Sequence, residues 1–258
     1  MDLNFNQDLA IGYEKNLTQI SRVLTEDWME HNMFCPICGA PVLSHYEANR
    51  PLADFFCDKC NSEFELKSKM SKPKVFNRKI VSGEYNKTIE RITSLQKPHL
   101  FLMTYANMAV DNLLLIPKYF FVPDIIEKRK PLPPTAKRAG WTGSYIKIQD
   151  IPESGKIFII KDGQEADLSW VVAQSQRAMS LQTTNINSLG WMFDVLKCVE
   201  RLPQDDFCLD DVYNFADELQ SKHPENRYIH DKIRQQLQIL RDKGFIHFIS
   251  RGKYHRIR

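Results

Sequence analysis

The sequence predicts a mixed α/β (α+β) domain over residues 1–183 that carries a four-cysteine zinc site, followed by a small helical domain, residues 184–258, closed by a β-hairpin. Three observations lead to this. Two Cys-x-x-Cys pairs, Cys35/Cys38 and Cys57/Cys60, stand eighteen residues apart. Apolar runs of strand length alternate with amphipathic segments up to residue 181. From Leu189 the apolar spacing turns helical, and only the last stretch returns to a strand pattern.

Taken in order, residues 5 to 31 place Leu17, Ile20, Val23, Leu24 and Trp28 at helical spacing. Thr25 before Glu26 and Asp27 has the form of an N-cap with acids in the first turn, so one or two helices are expected to pack behind a sheet. The cysteines follow. Thiolates at i and i+3 in a tight knuckle clasp one side of a tetrahedral ion, and a second knuckle closes the other, which reads as a Zn²⁺ site held by Cys35, Cys38, Cys57 and Cys60. Four thiolates leave no position for water, so the zinc is expected to be structural. His31 and His45 lie nearby, but the set is complete without them.

Three charged residues are interleaved with the second knuckle: Asp54, Glu65 and Lys67. Along a strand Glu63, Glu65 and Lys67 share one face and Phe64 and Leu66 the other. If the knuckle is the turn of a hairpin, Asp54 comes alongside Glu65, and two carboxylates with an amine make a hard-cation site with a water-orienting group. A Glu-x-Lys on an exposed strand with a weak salt bridge is the bland reading of the same residues.

The basic loop Ser68 to Lys79 comes next, with six basic residues from Lys67 to Lys79 and no acid. Tyr85 to Leu95 is expected to be a short helix with Ile89 and Ile92 on one side, and His99 to Tyr105 and Val110 to Ile116 paired strands. Pro131-Leu-Pro-Pro opens a loop ending in Ala139-Gly140-Trp141-Thr142-Gly143; it carries a second basic group that includes Lys137 and Arg138. Tyr145 to Ile148 and Lys156 to Ile160 resume the strands, Asp162-Gly163 turns, Asp167 to Leu181 is helical, and the polar TTNINS marks the boundary.

Beyond it, helices are expected over Trp191 to Arg201, Leu209 to Lys222 and Ile229 to Lys243, with Gly244 as a stop and a hairpin from Phe245 to Ile257. Three helices and a terminal hairpin make a winged helix. The outward positions of its third helix include His230, Arg234, Gln235, Gln238 and Arg241, of which Gln suits adenine and Arg guanine in a major groove. Arg251, Lys253, Arg256 and Arg258 add charge on the wing. Net charge is only +3, yet from Lys222 onward ten basic residues face three acidic ones, a distribution suited to a phosphate backbone.

The motifs NRPLADFFCDKC, EFELKSK, PLPPTAKRAGW, KIRQQLQILRDKG and RGKY, in this order, resemble the DpnI-type methyl-directed restriction endonucleases over nearly the whole chain. The PD-(D/E)XK nuclease motif of that family falls on Asp54, Glu65 and Lys67, with Ala53 where its proline would stand. The resemblance implies a PD-(D/E)XK nuclease core with a structural zinc, a C-terminal winged helix, and Mg²⁺-dependent cleavage of double-stranded DNA at GATC sites bearing N6-methyladenine. Asp54, Glu65 and the backbone carbonyl of Leu66 are then expected to hold Mg²⁺, and Lys67 to act on the water. Glu63 is a lesser ligand candidate. An N6-methyl group is apolar, so its reader needs an apolar surface, for which Trp141 beside Lys137 and Arg138 is the choice. A zinc-containing DNA-binding regulator and a methylation-blind nuclease remain the rival classes.

Cys198 and Cys208 fall in apolar contexts and are expected to be buried thiols. Thiols in metal spacing, a polar N-terminus and no bilayer-length apolar run suggest a cytoplasmic protein; the resemblance implies a bacterial one, and with no interface evident in the sequence a monomer is expected.

Overall fold

A computed structural model describes residues 1–11, 16–47, 53–70, 79–94, 97–182 and 186–257. Much of the first basic loop, including Lys72, Lys74 and Arg78, lies outside the described residues, as do Asn49 to Leu52, Thr183 to Asn185 and Arg258. The helices are α1 (Leu17–Asn32), α2 (Tyr85–Thr93), α3 (Leu168–Met179), α4 (Ile186–Arg201), α5 (Leu209–Tyr213), α6 (Ala216–Lys222) and α7 (Ile229–Asp242). The strands are β1 (Ser44–His45), β2 (Phe55–Phe56), β3 (Glu63–Met70), β4 (Lys79–Glu84), β5 (His99–Ala106), β6 (Ala109–Ile116), β7 (Ile126–Lys128), β8 (Gly143–Lys147), β9 (Ile157–Lys161) and β10 (Gln164–Glu165), then β11 (Asp206–Cys208), β12 (Ile246–Ser250) and β13 (Lys253–Arg256).

The main sheet runs β1-β2-β3-β5-β6-β9-β10, and β4-β8-β7 form a smaller one. β3 and β5 are parallel, joined through β4 and α2, while the neighbouring pairs are antiparallel. β5 and β6 are buried on both faces over most of their length, which explains their largely apolar sequence. Leu100, Leu102, Leu114 and Ile116 face one core; Phe101, Met103, Leu113 and Leu115 face another, under α1 and the knuckles. The β5–β6 turn at Asn107 and Met108 has φ of 51° and 59°, the left-handed pair that a two-residue hairpin turn requires.

The first of these cores continues without a break into α4, α7 and β12. Phe120 stacks on Phe193 at 4.9 Å, and a Cβ on Gly155 would lie 2.5 Å from the Phe120 ring, so only glycine admits that ring. The Glu200 carboxylate accepts from the backbone N–H groups of Glu153 and Ser154, and Arg177 donates to Ile257 O at 2.8 Å. Residues on either side of position 184 thus share one apolar cluster.

Several local expectations change. α1 is capped by Asn16, and Thr25 lies buried in mid-helix, its hydroxyl returned to Ser21 O at 2.8 Å. A buried helical threonine satisfies its hydroxyl in this way, so an acid-flanked threonine is an ambiguous cap signal. Ser68 to Met70 belong to β3 and Lys79 to β4, so the basic segment is shorter than a loop from 68 to 79. The expected helix from Leu209 to Lys222 breaks at Asn214-Phe215 into α5 and α6. Arg256 is buried rather than presented on the wing: its guanidinium reaches Asp205 and the carbonyls of Val199, Glu200 and Leu202 at the end of α4. Buried cations at a helix C-terminus satisfy carbonyls that have no partner within the helix.

Candidate active site and metal centres

The zinc hairpin is built by short-range chemistry. Cys35 O accepts from Gly39 N at 2.8 Å, and Cys57 O from Asn61 N at 2.8 Å, each closing a tight knuckle with a left-handed residue, Gly39 or Asn61. Cys35 Sγ and Cys60 Sγ stand 3.6 Å apart, as do those of Cys38 and Cys57, and the four sulfurs all lie within 4.8 Å of one another. Four Zn–S bonds of about 2.3 Å in a tetrahedron need sulfurs roughly 3.8 Å apart. The donor set therefore fits a structural Zn²⁺. Burial pushes the Cys35 thiol well above its ordinary range, so its ionisation there needs a cation beside it. His31 and His45 are occupied elsewhere: His31 Nδ1 meets Asp27 O at 2.8 Å, and His45 Nε2 faces Glu26 at 3.6 Å.

The second knuckle is the turn between β2 and β3. Its register, Phe55 against Phe64 and Phe56 against Glu63, places Asp54 one step further on, across from Glu65. Asp54 N donates to Phe64 O at 2.8 Å, and Leu66 N donates to Asp54 Oδ2 at 2.7 Å. Within an extended strand the N–H and C=O of one residue point to the same side, so the Leu66 carbonyl is also directed toward Asp54. Burial pushes the Asp54 carboxyl up, against the Leu66 N–H, which favours its ionised form; nearby Glu65 pushes it up further, while Lys67 and His45 pull it down. Glu65 Oε1 pairs with Lys67 Nζ at 2.8 Å and Glu65 Oε2 with Arg91 Nη2 at 2.9 Å. Glu63 accepts from the Tyr46 hydroxyl at 2.9 Å.

Among the described residues β3 beyond Phe64 has a neighbour, β5, on one side only. Clefts open at this edge on both faces. One, about 610 Å³, includes Asp54, Leu66, Glu26 and His45; the other, about 640 Å³, includes Glu65, Lys67, Lys87 and Arg91. Lys97 also borders the second, but its ammonium is buried and donates to Ile92 O and Phe121 O. Burial pushes it down to about 8. Arg91, Glu26 and His45 were not identified as parts of this site from the sequence. Nothing in local spacing distinguishes an arginine in the last turn of a short helix from a solvated one.

The other expected contacts lie in two places. Lys137 and Arg138 are exposed in the loop before β8, and the Arg138 guanidinium sits 5.2 Å from the half-buried Trp141 ring. That ring covers Gly143, where a Cβ would come within 2.8 Å of it. Tyr85 N donates to Thr142 O at 3.0 Å, so the start of α2 holds the Trp141 loop and its last turn presents Arg91 to Glu65. On the C-terminal domain, Arg234, Gln235 and Gln238 are exposed on α7, and Arg251 and Lys253 on the hairpin. Arg234 pairs with Asp231 and donates to Tyr213 OH at 3.1 Å; Gln235 accepts from Lys232 at 2.8 Å.

A family model described as the DpnI, Dam-replacing family matches residues 1–184, and one described as the Dam-replacing HTH domain matches residues 187–256.

Proposed function

The chain belongs to the Dam-replacing family of DpnI-type restriction enzymes, and from that premise we propose that it is a type II, Mg²⁺-dependent endonuclease that cuts duplex DNA at GATC sites carrying N6-methyladenine. The observation that most supports the reading is the hairpin register that sets Asp54 across from Glu65, with Lys67 paired to Glu65. In this reading residues 1–183 form the PD-(D/E)XK nuclease and 184–258 the winged helix that adds DNA contacts.

The donors suit Mg²⁺, which takes hard oxygen ligands: the Asp54 and Glu65 carboxylates, opposite each other in the hairpin register, with the Leu66 carbonyl on the Asp54 side of the strand. When bound, the ion supplies Lewis acidity to the scissile phosphate and acidifies water. Asp54, held by Leu66 N–H, keeps its remaining lone pairs aimed at the site. Lys67, whose ammonium pairs with Glu65, orients the attacking water and offsets charge as the phosphorus becomes five-coordinate. Trp141 supplies the apolar surface for the methyl group. Lys137, Arg138, Arg251 and Lys253 contact phosphates, and Arg234, Gln235 and Gln238 face base edges. No described helix is long and apolar enough to cross a membrane, and a monomer in the bacterial cytoplasm fits this role.

The test is a digest of one plasmid grown with and without adenine methylation at GATC, in Mg²⁺ and in EDTA, by wild type and Lys67→Ala. Cleavage of the methylated plasmid alone, abolished by EDTA and by the substitution, is expected. Equal cleavage of both removes the methyl-reading assignment. DNA binding without cleavage removes the nuclease assignment.

A further inference from the structure

We propose that Arg91 is an active-site residue that changes partner in the reaction, bracing Glu65 in the structure described here and donating to a DNA phosphate oxygen when a divalent cation takes the Glu65 carboxylate. The proposal rests on the reading of Asp54, Glu65 and Lys67 as the metal-dependent nuclease site.

Each oxygen of Glu65 already has a cationic partner, Lys67 on Oε1 at 2.8 Å and Arg91 on Oε2 at 2.9 Å. A divalent cation bound through this carboxylate competes with both for its lone pairs and repels both by charge. Lys67 lies on the same strand, two residues away, so it stays beside the site. Arg91 comes from the last turn of α2, a helix anchored by buried Thr88 and Ile92, so its side chain moves without the backbone. That side chain is 30% exposed and borders the cleft that also contains Lys67 and Lys87.

Charge gives the direction of the exchange. Asp54 and Glu65 balance Lys67 and Arg91. A dication upsets that balance and repels the guanidinium, while the entering phosphate attracts it. A guanidinium matches two phosphate oxygens in a planar fork, which an ammonium does not. Arg91 then stands on the substrate side of the site, where negative charge builds up on the phosphoryl oxygens during displacement.

Arg91→Ala and Arg91→Lys in the full chain test this, after thermal melting has verified that each is folded. Calorimetry with Mn²⁺ and no DNA is expected to show Arg91→Ala binding the ion several-fold tighter, because a competitor for Glu65 is gone. The salt dependence of binding to a methylated GATC duplex, read by anisotropy in Ca²⁺, is expected to lose about one phosphate contact, a change of about 0.9 in the log–log slope. Single-turnover cleavage in Mg²⁺ is expected to fall about a hundredfold, with partial recovery in Arg91→Lys. Unchanged slope and rate would leave Arg91 a surface brace and overturn the proposal. Weaker Mn²⁺ binding overturns it too, since Arg91 then only orients Glu65. Glu65→Gln separates the two readings: if it binds Mn²⁺ and cleaves like wild type, the underlying site assignment fails. If it is inactive while Arg91→Ala cleaves normally, only the role of Arg91 fails.

Discussion

The backbone N–H of Leu66 holds Asp54 Oδ2 at 2.7 Å, so the residue between Glu65 and Lys67 orients the third member of the set from across the hairpin. The acid just before β2 and the Glu-x-Lys of β3 are thereby tied by a main-chain N–H, before any metal contributes.

Replacing Asp54 by Asn preserves an acceptor for Leu66 N–H and removes the charge. Asp54→Asn is expected to keep its melting temperature and zinc content while Mn²⁺ binding is lost and cleavage falls at least about a hundredfold. Calorimetry and a plasmid digest check this. A variant that cleaved normally would remove Asp54 from the site.

The same hairpin depends on the cysteine cluster. Structural zinc contributes on the order of 10 kcal/mol to folding in small sites. Stripping zinc with a strong chelator, or Cys57→Ser, is expected to release one zinc per chain and to abolish cleavage even in excess Mg²⁺. A chromogenic zinc assay run beside a melt and a digest reads this. Full activity in zinc-free protein is the contrary result.

His99 offers a pH test away from the proposed site. Its ring is buried against Phe64, Nδ1 accepts from Lys118 N at 3.2 Å, and Nε2 has no partner among the described residues. Burial, with the nearby charge of Lys118 as a smaller cause, pushes its pKa from an ordinary 6.5 down to about 3. The unfolded chain therefore binds a proton that the fold refuses. Stability is expected to fall as pH drops from about 6.5 toward 3, each pKa unit corresponding to about 1.4 kcal/mol. His99→Asn keeps an acceptor without a titrating ring, and urea melts across this window are expected to show a shallower acid slope for it.

Trp141 covers Gly143 so closely that alanine there would meet the ring at 2.8 Å. Gly143→Ala is expected to displace the indole and narrow the preference for methylated over unmethylated GATC, and Trp141→Ala to narrow it further. Relative cleavage of the two plasmids measures both. An unchanged ratio in a folded Trp141→Ala protein excludes the tryptophan as methyl reader.

Arg256 is 8% exposed and joins β13 to Asp205 and the last carbonyls of α4. Arg256→Met is expected to lower stability by roughly 3 kcal/mol, the usual effect of breaking a buried charge pair from one side, with little change in the salt dependence of DNA binding. Loss of a phosphate contact instead would return Arg256 to the DNA surface.

The amino-acid sequence alone determined what depends on neighbours along the chain. Two Cys-x-x-Cys knuckles carry their geometry within four residues each, the β5 and β6 runs announce burial on both faces, and the spacing of Ile229, Ile233, Leu237 and Leu240 marks a buried helix face. The register that sets Asp54 across from Glu65 follows from the same knuckle, because its turn fixes how the two arms of the hairpin pair. Tertiary structure decided the rest. Whether Thr25 caps a helix or fills one, and whether Arg256 faces DNA or a helix end, depends on partners distant in sequence. The clearest case is Arg91, whose carboxylate partner is 26 residues away. Local propensity describes one segment at a time, whereas an ion pair between segments exists only once packing has placed both backbones.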